Sequence, residues 1–190
     1  MAKAEYRSAI RSKKLIIEAL VDLLTVKSLD KITVTDVVTR ADINRGTFYA
    51  HYRDIPDVVD HLIQSTFAVI RDTMIAKKPT PDNVILTLLT TFQDILESDL
   101  SFFQKILTSS ASLIIQEQLN CVLLDFFREN KDWFYPDKQE EYLVTFRFCS
   151  GGLSNLYQDW FAGKLSCSLR ELTQLCIDFT KRLLSEKTSV

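Results

Sequence analysis

The stretch Thr33 to Tyr52, TVTDVVTRADINRGTFYAHY, decides the fold, because it predicts two short helices joined by a tight turn. Thr33 is a favourable helix N-cap, and Asp36 stands three residues later, where a capping box has its acidic residue. Asp42 and Asn44 tolerate the backbone angles of a turn, and Asn44 can also cap the second helix. This pattern is typical of a helix-turn-helix.

The residues of the second helix, Arg45 to His51, predict a ligand-binding surface. Its first turn has unpaired backbone N–H groups that attract anions, with phosphate as the natural ligand. Gly46 is destabilising in a helix by about 1 kcal/mol relative to Ala, which suggests that something approaches the backbone closely, as a DNA groove wall would. Phe48 and Tyr52 share one face and are expected to anchor the helix. The outward positions are then Arg45, Thr47, Tyr49 and His51.

The segment from Thr33 to Ile55 resembles the signature of the TetR (tetracycline repressor) family of bacterial transcription regulators, and the likeness extends over about residues 8 to 63. In that family the second helix enters the DNA major groove and flanking residues contact phosphates. The resemblance implies a DNA-binding regulator that takes double-stranded DNA with a palindromic operator as its partner. By motif position, DNA contacts fall on Thr33, Thr35, Arg45, Gly46, Thr47, Tyr49, His51 and Tyr52.

Two positions depart from the family pattern. Asp42 stands where glycine is usual in the turn, and Ile55 stands where a phosphate-contacting lysine usually opens the next helix. Arg53, two residues away, is a candidate replacement for that lysine. We include Arg53 and the cap residue Asn44 among the expected DNA-binding residues.

Charge supports a nucleic-acid partner only when the chain is divided. The 190 residues have a net charge of −2. Residues 1–53 hold ten Lys and Arg against six Asp and Glu, a net of +4, and the remaining 13 basic and 19 acidic residues give −6. A basic run at the N-terminus, Lys3 to Lys14, is compatible with a flexible arm on DNA and equally with simple disorder.

Composition predicts an all-α protein of about nine helices, because four Gly and four Pro are too few to punctuate a many-stranded sheet. The sequence shows no membrane-length apolar stretch and no export signal, so we expect a cytoplasmic protein. Two His and four scattered Cys form no metal set or catalytic constellation, so no metal, no cofactor and no enzymatic activity is expected. The thiols are expected to be buried and free, with a redox pair left open.

Helical periodicity and two prolines divide the chain by role. We expect a three-helix DNA-binding head at residues 1–53 with its motif at 33–52, a connecting helix at 54–76, and a helical ligand-binding and dimerisation domain at 77–190. The prolines between Lys77 and Asp82 mark the boundary. Within the third part, residues 133–137 should interrupt the helical pattern. The first helix is expected at roughly 8–27.

The last two helices, expected at 138–162 and 168–184, have apolar stripes that suggest a homodimer. In the resembled family, these helices of two subunits form a four-helix bundle. Gly151 and Gly152 would permit close approach of a neighbouring backbone. Stripes that only close the core of one subunit are the alternative. The expected interface residues are Phe146, Cys149, Gly152, Leu153, Leu156, Trp160, Leu172, Leu175 and Phe179.

The remaining aromatics of the third part are numerous enough to line an effector cavity. The resemblance to the TetR family implies a small-molecule effector, bound between the helices of this part, that releases a repressor from DNA. This part also resembles a C-terminal type found in regulators of low-GC Gram-positive bacteria. An activator, a regulator gated by a protein partner and a helical adaptor without specific DNA binding are the alternatives. The candidate pocket residues are Phe92, Phe103, Gln116, Phe126, Phe146 and Arg147.

Overall fold

The computed structural model of the chain describes residues 2–80, 82–130 and 139–185, with side chains described for 7–80, 82–130 and 143–183. Within these ranges the chain forms α-helices and one 3-10 helix, and no strand. The helices are α1 (Ala2–Leu24), η1 (Leu29–Lys31), α2 (Val34–Arg40), α3 (Arg45–Tyr49), α4 (Ile55–Lys77), α5 (Val84–Ser98), α6 (Leu100–Leu107), α7 (Ser112–Glu129), α8 (Gln139–Phe161) and α9 (Leu169–Ser185). The predicted all-α fold is confirmed. The interruption expected at 133–137 lies outside the described residues.

The chain divides into two compact units. The head unit comprises Met1–Ser65 and Ser101–Ile115, and the body unit comprises Thr66–Leu100 and Gln116–Val190. Most of α6 therefore belongs to the same compact unit as the N-terminal helices. The division by role at residues 53 and 76 stays a prediction.

In the head unit, α1 packs against both α2 and α3. Ile16 and Leu20 of α1, Val37 of α2 and Phe48 of α3 are all fully buried. Burial of each such side chain stabilises the unit by about 1.5–3 kcal/mol. A second cluster joins Val21 of α1 to other helices, and its other members are Ile17, Leu62, Phe102, Phe103, Ile106 and Ile115.

The expected start of the first helix was wrong. The helix begins at Ala2 instead of near residue 8 and ends at Leu24 instead of near residue 27. Residues 2–9 contain no Gly or Pro and three Ala, which favours helix over a flexible arm. At the other end, the Thr25 hydroxyl donates to the Asp22 carbonyl at 2.7 Å, which competes with continued helix.

In the body unit, α9 packs along α5 and touches α8. The start of α9 has the predicted capping box: Ser168 N–H donates to Glu171 Oε2 at 2.7 Å, and Glu171 N–H donates to Ser168 Oγ at 3.2 Å. Tyr157 of α8 and Thr173 of α9 share a buried hydrogen bond of 3.1 Å. Burial raises the pKa of the Tyr157 hydroxyl to about 12, so it stays protonated in that bond.

The two glycines of α8 have open space where a side chain would stand. A Cβ added at Gly151 or Gly152 would meet no described heavy atom within 4 Å. The close approach expected at these glycines is therefore not made by the described part of the chain itself.

Among the helices that the structure describes, none combines the length and apolar character needed to cross a membrane.

Candidate nucleic-acid interface

The first helix of the motif, α2, is fixed by its predicted capping box. Thr33 Oγ1 accepts from the Asp36 N–H at 3.2 Å, and Asp36 Oδ2 accepts from the Thr33 N–H at 2.9 Å. Lys27 Nζ donates to the other oxygen of Asp36 at 2.7 Å. The Lys27 ammonium, together with the bonds from Thr33, lowers the pKa of Asp36 to about 2. The cap therefore stays ionised and intact at neutral pH.

The turn between the helices has the geometry that its residue types predict. Asp42 has a φ of 51°, in the left-handed region that glycine usually occupies and that Asp tolerates. Asn44 Oδ1 accepts from the Thr47 N–H at 2.7 Å and so caps α3, as predicted. A Cβ at Gly46 would stand 3.1 Å from Asn44 Oδ1, so the glycine leaves room for this cap. Close approach by an external ligand is therefore not needed to explain Gly46.

The face that α2 and α3 present to solvent is polar. Thr35, Arg45, Gly46 and Tyr49 are exposed and Thr47 is half-buried. Arg45 Nη2 donates to Thr35 Oγ1 at 2.7 Å, which joins the first turns of the two helices through side chains. The capping residues Thr33 and Asn44 are exposed beside them. We call Thr33, Thr35, Asn44, Arg45, Gly46, Thr47 and Tyr49 the α2–α3 polar face.

Two aromatic side chains hold α3 from the inside. Phe48 is fully buried, and Tyr52 is only 3% exposed. The Tyr52 ring lies 5.5 Å from the His61 ring, edge to face. Burial raises the pKa of Tyr52 to about 12, and its buried hydroxyl has no hydrogen-bond partner among the described residues. Tyr52 is thus the anchor that the spacing predicts, and its burial corrects its assignment as a DNA contact.

The two other expected contacts lie just beyond α3. His51 is half-buried, and Arg53 is exposed with its guanidinium 3.5 Å from Asp57 Oδ1. The Arg53 N–H donates to Asp57 at 2.9 Å and, with its side chain, lowers the pKa of that carboxyl. Ile55, the residue that replaces the family's usual lysine, is buried. Arg53 is therefore an accessible cation at this end of the motif, and it forms an ion pair with Asp57.

A cluster of three charged side chains, which the sequence analysis did not identify, holds the C-terminal end of α2. Asp22 of α1 accepts from Arg40 Nε at 3.0 Å and from Lys105 Nζ of α6 at 2.8 Å. These bonds lower the pKa of Asp22, the Lys105 bond most and the Arg40 bond next. Arg40 is the last residue of α2. The three side chains therefore tie α1, α2 and α6 of the head unit together.

The expected effector-pocket residues are not gathered into one cavity. Phe103 packs in the second cluster of the head unit, while the other five belong to the body unit. There, the Phe92 ring contacts Tyr157 at 5.2 Å, the Phe126 ring contacts Phe67 at 5.6 Å, and the Phe146 ring contacts Phe127 at 5.8 Å. Gln116 is half-buried at the start of the body unit's part of α7. The Phe126 and Phe127 rings lie 5.9 Å apart, so Phe67, Phe126, Phe127 and Phe146 form one run of ring contacts, as packed aromatic side chains do.

The body unit does have an open groove of about 540 Å³ between α7 and α8. Its residues are Cys121, Leu124, Asp125, Arg128, Leu143, Val144 and Arg147. Arg147, which the sequence analysis included, donates to both oxygens of Glu117 at 2.7 and 2.8 Å. The hydrogen bonds and the charge of Glu117 raise the pKa of the Arg147 guanidinium above its ordinary value.

The expected dimer residues are distributed between the core and the surface. Leu172 is buried and faces the interior of its own unit, so it is corrected from interface to core. Leu175 and Phe179 are about half exposed, and Gly152 is exposed. The residues of the α8 stripe are partly buried, and they are Phe146, Cys149, Leu153, Leu156 and Trp160.

That assignment missed two exposed apolar residues of α8, and it left out Leu183, which lies on the predicted apolar stripe of α9. Leu183 follows Leu175 and Phe179 at steps of four, and Val144 and Phe148 precede Gly152 at the same step. Phe148 is 70% exposed. The signal was available in the four-residue spacing, but the stronger seven-residue pattern of α8 concealed it. We call Val144, Phe148, Leu175, Phe179 and Leu183 the α8–α9 apolar stripes.

With this geometry established, comparison with solved structures identifies the fold as that of TetR transcriptional regulators. The chain is similar to a TetR transcriptional regulator from Streptococcus agalactiae, with 19% identity, a TM-score of 0.56, and coverage of 95% of this chain and 99% of the other. It is also similar to the fatty acid degradation regulator FadR from Bacillus halodurans, with 16% identity, a TM-score of 0.63, and coverage of 90% and 94%.

A third similar structure is DhaS, the activator of a dihydroxyacetone kinase operon, with 18% identity, a TM-score of 0.52, and coverage of 92% of this chain and 96% of the other. No protein-family model and no curated protein sequence matches the chain. The likeness is therefore one of fold, and these three similar structures are all named as regulators or activators.

Proposed function

We propose that this chain is a sequence-specific DNA-binding transcriptional regulator, without enzymatic activity, that acts in the cytoplasm as a homodimer on a palindromic operator. The observation that carries the proposal is the α2–α3 polar face. Two capped helices present Thr35, Arg45 and Tyr49 to solvent, while Phe48 behind them is buried. Hydroxyls and a guanidinium on a rigid helix pair are the groups that contact phosphates and base edges in the major groove.

The charge distribution supports the same partner. Ten basic and six acidic residues precede position 54, against 13 and 19 in the rest of the chain. Such an excess of basic residues in the first 53 positions directs this part of the chain toward DNA and makes the affinity fall as salt rises. A helical adaptor has no need of this asymmetry.

The α8–α9 apolar stripes support the dimer. Phe179 of α9 is 54% exposed and Phe148 of α8 is 70% exposed, although large apolar side chains are usually buried. Covering apolar surface stabilises an assembly by about 25 cal/mol per Å². A second copy of the chain is the natural partner, because a two-fold dimer presents two recognition helices to the two halves of a palindrome.

We assign the regulator as a repressor released by a small molecule bound in the body unit. The open groove between α7 and α8 is the candidate position, with apolar walls and the guanidinium groups of Arg128 and Arg147. Release requires the effector to bind more tightly to the form that does not hold DNA. Activation is the second candidate, favoured by the likeness to DhaS, which is named as an activator.

Selection of genomic fragments by the purified protein at two salt concentrations tests the proposal. We expect enrichment of a palindrome that persists at the higher salt. The position of that palindrome then separates the two candidates: overlap with a promoter indicates repression, and a site upstream of it indicates activation. Retention that is diffuse and disappears with salt would contradict sequence-specific binding and favour the adaptor.

A further inference from the structure

We propose that Thr35 is a positioning residue that sets the base preference of Arg45, and that its main role is not a phosphate contact. The inference rests on the proposed DNA binding and assigns the reading of one base pair to a pair of side chains. Its basis is the hydrogen bond from Arg45 Nη2 to Thr35 Oγ1, which is 2.7 Å long and joins two exposed residues of different helices.

The backbones on both sides of this bond are fixed. Thr35 lies in the first turn of α2, immediately after the Thr33–Asp36 capping box that Lys27 reinforces. Arg45 is the first residue of α3, which Asn44 caps. The Cβ positions of the two residues are therefore set by local structure, and the hydrogen bond chooses one of the many conformations open to a long arginine side chain.

The chosen conformation has a chemical consequence. An arginine has five N–H donors, and the bond to Thr35 occupies one of them, on Nη2. The remaining donors still suffice for the bidentate contact with the O6 and N7 atoms of guanine that is the commonest specific contact of arginine. The hydrogen bond holds the Arg45 guanidinium in place before DNA binds, so less side-chain entropy is lost on binding. A guanidinium held in one position also binds less well to base pairs other than the one that it matches.

The same hydroxyl would behave differently as a simple phosphate contact. Phosphate contacts fix the register of a protein on DNA but carry no sequence information. Loss of such a contact weakens binding to all sequences alike. Loss of a positioning bond instead relaxes preference at one base pair, the one that Arg45 reads. Base preference, measured position by position, therefore distinguishes the two roles, and fold stability does not enter it.

The test compares variants of the full chain on a library in which each operator position is varied in turn. Thr35→Val removes the hydroxyl and keeps the β-branched shape, and Thr35→Ser keeps a hydroxyl. Thr39→Val is the matched control, because Thr39 is an exposed threonine one turn further along the same helix. Arg45→Ala identifies the base pair that Arg45 reads.

We expect Thr35→Val to reduce discrimination about tenfold at the base pair that Arg45→Ala also relaxes, as loss of part of a bidentate contact would. The Thr35→Ser and Thr39→Val variants should keep the wild-type preference. The double variant Thr35→Val with Arg45→Ala should have the base preference of Arg45→Ala alone, since the two residues act as one unit.

Two results would overturn the inference while leaving the proposed function intact. One is a uniform loss of affinity in Thr35→Val that adds to the effect of Arg45→Ala, which would make Thr35 a phosphate contact. The other is a Thr35→Val variant indistinguishable from the wild type. If the wild-type protein itself enriches no sequence, the proposed function fails first and the inference fails with it.

Discussion

Two exposed surfaces of this chain differ in chemistry, although both lie on α-helices that pack against other helices of their unit. The α2–α3 polar face presents hydroxyls, an arginine and a tyrosine, while the α8–α9 apolar stripes present Leu, Val and Phe side chains. A polar surface over a fully buried aromatic layer is stable in water without a partner. Apolar stripes are stabilised only when something covers them. The first surface therefore supports the proposed DNA partner, and the second supports the proposed homodimer.

The largest expected effect concerns the apolar surface. Phe179→Glu places a charge where two subunits would meet, and an unpaired buried charge destabilises an interface by about 3–5 kcal/mol. Sedimentation or light scattering should show a dimer for the wild type and a monomer for the variant at the same concentration. Lys181→Glu, on the same helix and outside the stripes, is the matched control and should remain dimeric. A dimeric Phe179→Glu would remove α9 from the interface.

Arg45→Ala should have the next largest effect, on the polar surface. Loss of a bidentate base contact weakens binding by about 1–3 kcal/mol for each half-site. Affinity for the selected operator, measured by fluorescence anisotropy, should fall accordingly while the dimer persists. Arg71→Ala, which removes an exposed arginine of α4 from the body unit, is the control for net charge. Equal losses in the two variants would mean that charge, and not position, sets the affinity.

Asp22→Asn should weaken the attachment of the last residue of α2 to α1 and α6. The carboxylate is 27% exposed and holds both Arg40 and Lys105, so its replacement should lower the free energy of unfolding by about 1 kcal/mol at pH 7. Because folding lowers the pKa of Asp22, its contribution is complete above the ordinary value of 3.8 and is lost as the pH falls through the folded value.

Urea unfolding at a series of pH values checks this prediction. The difference between the wild type and Asp22→Asn should be largest near neutral pH and should shrink as the carboxylate becomes protonated. Glu18→Gln, one turn earlier on α1 with a longer 3.6 Å surface pair to Lys14, is the control and should change stability little. A constant difference across the acidic range would show that the two ion pairs do not stabilise the head unit.

The smallest effect expected on DNA binding is that of Tyr49→Phe. The Tyr49 ring packs edge to face on Phe48 at 5.5 Å, while its hydroxyl is available to a phosphate. Tyr49→Phe should weaken operator binding by about 0.5–1.5 kcal/mol, the net contribution of one hydrogen bond, and Tyr49→Ala should weaken it more because the ring is lost as well. Equilibrium binding of both variants to the same operator gives the ranking. The reverse order would count against this geometry.

Local signals made much of the fold predictable. The capping boxes at Thr33 and Ser168 and the Asn44 cap are written in short residue patterns, and the structure contains all three. Phe48 and Tyr52 were expected on one inward face because they are four residues apart, and both are buried. The family resemblance, in contrast, assigned Tyr52 to DNA. The position of Tyr52 in the motif does not by itself reveal whether its side chain points into the core or toward DNA.

Contacts between distant residues could not be predicted. Asp22 and Lys105 are 83 positions apart, and no periodicity connects them. Phe103 and Phe126 each belong to a pair of adjacent phenylalanines in a helix, yet the two residues pack in different units. The bond between Arg45 and Thr35 depends on the angle between α2 and α3, which the sequence indicates only as a turn. Tertiary geometry, and not local propensity, determines each of these.

The most direct test of the central claim is hydroxyl-radical footprinting of the wild-type protein on its selected fragment. Binding by a two-fold dimer through the α2–α3 polar faces predicts two symmetrical protected patches that flank major grooves, with centres about 34–36 Å apart or a multiple of that distance. Both patches should weaken together in Arg45→Ala. A single asymmetric patch, or protection that does not depend on Arg45, would contradict the account.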